Sequence, residues 1–103
     1  MSFCLAYMTF IDKEEARVFA KEAIEAKVVA CLNIFPAVES YFLWDNKLSH
    51  ENEVVLIAKL LEDNFSALEQ LTLAKHSYDN PCLLKLPIIG GSKKFLDWIG
   101  SEK

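Results

Sequence analysis

Between positions 28 and 61 the chain runs through two long stretches dominated by apolar and aromatic side chains, 28–44 and 54–61, joined at Asp45-Asn46. Strands in globular domains usually run about five or six residues. At roughly 3.3 Å per residue, an arm of about fifteen reaches some 50 Å. A chain of about a hundred residues has a radius of gyration near 13 Å and is about 26–30 Å across. The pattern therefore predicts a β-hairpin that overshoots its own sheet. Its tip carries Tyr41, Phe42, Leu43 and Trp44 in succession, so large apolar groups point to both faces. Such a surface aggregates when left bare and is stable when buried against partner chains. The hairpin reads as an assembly device.

The remaining pattern places elements on either side of it. Residues 3–9 carry apolar groups on both parities, the mark of a strand buried within a sheet. Asp12 with Glu15 three residues on is a helix-start signature. Ala16, Phe19, Ala20, Ala23 and Ile24 then form the stripe of an amphipathic helix closed near Lys27. Pro36 sits inside the first hairpin arm, where it has no N–H for a ladder, and predicts a bulge or bend. A second helix is expected from about Asp63 or Asn64, either able to cap it, to Lys75, burying Phe65, Leu68, Leu71 and Thr72. Residues 77–81 read as a turn before Pro81. Positions 83–89 make a fourth strand, with Pro87 placing it at an edge or end. Ser92 is suited to cap a last helix carrying Phe95, Leu96, Trp98 and Ile99.

The order β-α-β-β-α-β plus a terminal helix is the split arrangement of an α+β, ferredoxin-like fold with an antiparallel sheet. No linker or repeat interrupts residues 1–103, which are expected to form a single domain. Two helices cover one face of the sheet. The other face, assigned Tyr41, Leu43, Val55 and Ile57, still needs cover, a second pointer to oligomers.

Composition narrows the partners. A net charge of −4 argues against nucleic acid, which requires a basic face. Lysines are scattered singly apart from Lys93-Lys94, so no patch for anionic membranes stands out. No apolar stretch approaches the roughly 20 residues of a membrane span, and the N-terminal run lacks the flanks of a signal peptide. The expected location is the cytoplasm. Cys4, Cys31 and Cys82 are widely spaced within apolar runs and are expected as free, buried thiols in a reducing compartment.

Taken together, these residues resemble the divalent-cation tolerance family, CutA. The resemblance runs from Met8 to about Ile99 and rests on ordered pieces. They are Thr9 and Asp12; Ala30-Cys31-Leu32-Asn33-Ile34-Phe35-Pro36; Ser40-Tyr41, Trp44, Lys47, Glu53 and Lys59; His76 and Tyr78 before Pro81; Leu86-Pro87; and Phe95-Leu96-Asp97-Trp98-Ile99. It implies a homotrimer of ferredoxin-like subunits with interlocking hairpins, Tyr41, Phe42 and Trp44 lying in the interface. It also implies a part in resistance to heavy-metal ions, with copper or another divalent metal bound. The family's shape resembles the PII signalling proteins, so a trimeric small-ligand sensor or scaffold with incidental metal binding is the alternative.

The chain departs from the family at its site. Copper ligands proposed in some members, a cysteine and two adjacent histidines, correspond here to Met8, Lys75 and His76, and a family glutamate is replaced by Cys82. The metal candidates are therefore His76, Met8 and Cys82, a soft donor set suited to Cu(I). His76 alone would serve equally as a helix C-terminal residue bonded to a carbonyl. Lys59, Tyr78 and Trp98 are the candidates, with His76, for an intersubunit cleft that binds a small anion or metabolite; their plainer role is bonding between subunits. His50 reads as a solvated surface residue. No serine has a glycine elbow and no phosphate loop is present, so no catalytic machinery is legible and the chain is not expected to be an enzyme.

Overall fold

The computed structural model describes residues 1–101, in the order β1 (Phe3–Phe10), α1 (Lys13–Glu25), β2 (Cys31–Trp44), β3 (Lys47–Leu61), α2 (Phe65–Lys75), β4 (Leu83–Ile88) and α3 (Lys93–Ser101). The four strands form one sheet in the order β2-β3-β1-β4, every pairing antiparallel. This is the α+β, ferredoxin-like arrangement that the pattern predicts.

Local chemistry sets the boundaries. Asp12 caps α1, its carboxylate accepting the Glu15 N–H at 2.8 Å. Lys27 ends it in the left-handed region at φ 60°, and the Val28 N–H closes the helix onto the Ala23 carbonyl. A 3-10 turn over Glu62–Asn64 leads into α2, and no side chain caps it. Asn64 thus precedes the helix without the capping bond its side chain suggested. The Ser92 hydroxyl accepts from the Phe95 N–H ahead of α3. β4 lies at a sheet edge, where Pro87 loses no ladder bond.

The core lies under α1 and α2. Cys4, Ala6, Met8 and Phe10 of β1 and Val54, Leu56, Ala58 and Leu60 of β3 meet Ala16, Phe19, Ala20 and Ala23 of α1 and Leu68 of α2. The alternate residues of β1 face the other way. There α3 crosses the start of the sheet, so close that a Cβ on Gly100 would meet the Met1 sulfur at 2.9 Å and the Phe3 ring at 3.7 Å. That helix covers only one end of the face. Leu84 and Leu86 remain exposed beside their register partners Tyr7 and Leu5.

The hairpin β2-β3 turns at Asp45 and Asn46, both at positive φ (51° and 63°), the two-residue geometry that matches strand twist. It carries the longest axis of the molecule to 45 Å against 25 and 22 Å for the others. The ladder slips between Phe35 and Val38, the bulge that Pro36 predicts. One consequence corrects the assignment of faces. Phe35 pairs with Val55, but beyond the extra residue Phe42 pairs with Ser49 and Trp44 with Lys47. Side-chain parity on β2 is thereby inverted. Phe42 and Trp44, not Tyr41 and Leu43, share the face of Val55 and Ile57. Tyr41 and Leu43 project on the helix side, where Tyr41 stacks on His50 at 4.7 Å. Leu43 and Trp44 are 72% and 66% exposed.

Candidate functional site

The segment after α2 is tied down at three points. His76 leaves the helix in extended conformation, and its ring stacks on Phe10 with centroids 4.5 Å apart. Its Nε2–H donates to the Thr9 carbonyl at 2.7 Å, while Nδ1 accepts the Tyr78 N–H at 3.1 Å. A carbonyl accepts only and an amide donates only, so these partners fix a neutral ring with its proton on Nε2. Ser77 donates through both its amide and its hydroxyl to the Glu15 carboxylate, at 2.9 and 3.0 Å. The Tyr78 hydroxyl donates to Glu53 at 2.8 Å.

These ties hold the segment against the outer half of the hairpin and leave a cleft of about 540 Å³ between them. Phe42, Trp44 and Tyr78 contribute rings to it, Glu51, Glu53 and Asp79 contribute carboxylates, and Cys82 contributes a thiol. Among the described residues no lysine or arginine lines it. Burial and the nearby carboxylates act on two groups. Burial first, then the hydrogen bond and charge of Glu53, push the Tyr78 phenol well above its ordinary value. Burial and then the Glu53 charge raise the Cys82 thiol, with a hydrogen bond to Thr9 pulling the other way.

The metal candidates are not gathered within one chain. Met8 is fully enclosed in the core, on the opposite side of the sheet from its neighbour Thr9, which lines the cleft with Cys82. Both nitrogens of His76 are occupied, so a metal reaching Nδ1 has to displace the Tyr78 amide. Cys82 alone of the three opens on the cleft. Among the described residues no three His, Cys, Asp or Glu side chains converge as a metal-holding group.

The cleft candidates are dispersed too. Lys59 bonds to the Asn33 side chain, in the part of β3 that pairs with Leu5, whereas Tyr78 binds Glu53 six residues earlier on the same strand. Trp98 stands on α3 against Phe95. Tyr41, Phe42 and Trp44 stay exposed at the tip. All three cysteines are free; Cys4 is buried, while Cys31 and Cys82 are only half-buried because each lies at an edge strand or beside it. Glu51 and Asp79 were missed as site residues. Glu51 was within reach of the pattern, since alternation places it beside Glu53 on one face of β3, but Asp79 depends on a loop course that no periodicity encodes.

A family model described as CutA1 divalent ion tolerance protein matches residues 4–102. The divalent-cation tolerance protein CutA of Archaeoglobus fulgidus is 41% identical over 93 residues, covering 90% of each chain. The chloroplastic CutA of Arabidopsis thaliana is 35% identical over 95 residues, which span 92% of this chain and 52% of that one. The crystal structure of CutA1 from Oryza sativa superposes with a TM-score of 0.97 at 35% identity, covering 100% of this chain and 94% of that one. The structure of the periplasmic divalent cation tolerance protein CutA from Archaeoglobus fulgidus gives 0.94 at 37% identity, with 97% of each chain covered.

Proposed function

The chain belongs to the CutA1 divalent ion tolerance family, and from that membership we propose that it acts in the response to heavy-metal ions as a homotrimer that binds copper or another divalent ion. One observation carries the metal reading: a thiol and three carboxylates line a cleft with no basic side chain among the described residues that form it. The metal meets Cys82 first. Carboxylates at Glu53 and Glu51 supply charge, and His76 buttresses the segment and becomes a ligand only by exchanging the Tyr78 amide for the metal. Met8 supports the core behind it. Because the described residues of one chain present no complete donor set, the site is closed by a neighbouring subunit.

The homotrimer reading rests on the exposed tip residues Tyr41, Phe42 and Trp44 together with the uncovered Leu84 and Leu86. In that assembly Lys59 and Trp98 take their plainer role, bonding and packing between subunits away from the Tyr78 cleft. Three unbridged thiols favour the cytoplasm, although relatives are named as chloroplastic and periplasmic. No helix among the described residues is long and apolar enough to cross a membrane. The chain works by binding and not as an enzyme.

Calorimetric titration with Cu(I) tests the metal reading. Cys82→Ser should weaken binding by about tenfold or more, since a thiolate is the preferred soft donor. His50→Ala should leave it unchanged. Unaltered affinity in Cys82→Ser contradicts the assignment. Affinity should also rise with pH, because the raised Cys82 thiol must lose its proton to bind.

A further inference from the structure

The cleft along the outer half of the hairpin is larger and more aromatic than a bare metal ion requires. Rings of Phe42, Trp44 and Tyr78 wall about 540 Å³, and aromatic carbons offer a metal no lone pair. The carboxylates of Glu51, Glu53 and Asp79 engage in none of the ion pairs among the described residues. Ring faces combined with unneutralised carboxylates attract one chemical class best: an organic cation whose charge is spread over alkyl groups, held by cation–π attraction and by the negative field. We propose that this cleft binds a quaternary or alkylated ammonium group. The inference rests on reading the same cleft as a cation site and names a second class of cation for it. Phe42 and Trp44 belong to the proposed subunit interface, so the binding-competent form is the assembled protein, in which a neighbour encloses the open side.

The test uses the full chain with Trp98→Phe, which leaves Trp44 as the single tryptophan, and follows its fluorescence. Choline is the probe, and 3,3-dimethylbutan-1-ol, its uncharged isostere, is the control. Choline should give a saturable change and bind about fivefold or more tighter than the isostere. Glu51→Gln and Asp79→Asn, both at exposed positions, should each weaken choline binding and leave the isostere unaffected. Equal binding of the two probes, or no saturable change with choline up to about 20 mM, overturns the proposal. Copper titration of the same sample separates the two readings. Copper bound without any choline response overturns this inference alone, whereas loss of both overturns the cation-site reading with it.

Discussion

His76 joins three elements through a single ring. It stacks on Phe10, donates to the Thr9 carbonyl and accepts from the Tyr78 amide. Removing it leaves a carbonyl on a buried residue and an amide without partners, and each such loss costs on the order of 1 kcal/mol or more. His76→Ala should therefore destabilise the fold by about 2 kcal/mol, read from the midpoint of denaturant unfolding at constant slope. An unchanged midpoint would mean that the ring is not a structural tie. Tyr78 supplies a pH signature at the same scale. Its phenol is raised above the ordinary value of 10.0 in the folded state, by burial first and then by Glu53. The folded protein thus holds this proton after the unfolded chain has lost it. The associated stability is present in full below about pH 10 and is lost as pH rises above it. Tyr78→Phe should flatten the alkaline decline in unfolding free energy, and a decline identical to the parent's would remove Tyr78 as its source.

The elements show where backbone conformation overrides side-chain preference. Lys27 occupies the left-handed region that glycine enters without strain. Lys27→Gly should raise stability by about 0.5–1 kcal/mol, measured by thermal or denaturant unfolding, and a loss would mean that its side chain contributes more than its backbone costs. The strands, the first helix with its Asp12 cap and the Asp45-Asn46 turn were all legible in the sequence because each has a local cause: periodicity, a capping side chain, or residues that tolerate positive φ. The bulge was legible from Pro36, but its effect was not. Inserting one residue inverts every facing beyond it, and parity counted straight through Pro36 put Tyr41 and Leu43 on the wrong side. The site was harder. His76, Tyr78 and Cys82 stood out by chemical type, yet whether they share a space depends on the sheet's two faces and on the course of residues 76–82. That is why Met8, one residue from Thr9 in sequence, lies on the far side of the sheet from Cys82.

At the scale of the whole molecule, a hairpin that draws the longest axis out to 45 Å against 25 Å across carries exposed rings on both faces, and an apolar strip along β1 and β4 lies uncovered. Burial of apolar surface stabilises by roughly 25 cal/mol per Å², so these surfaces drive association when a neighbour fits them. Trp44→Glu should shift assembly toward smaller species, because a charge buried without a partner costs several kcal/mol. The most direct test of the account is the mass of the native protein by light scattering on a size-exclusion column at micromolar concentration. The account predicts a single species at three times the 11.7 kDa chain, reduced in Trp44→Glu. A soluble, stable monomer of 11.7 kDa would contradict it.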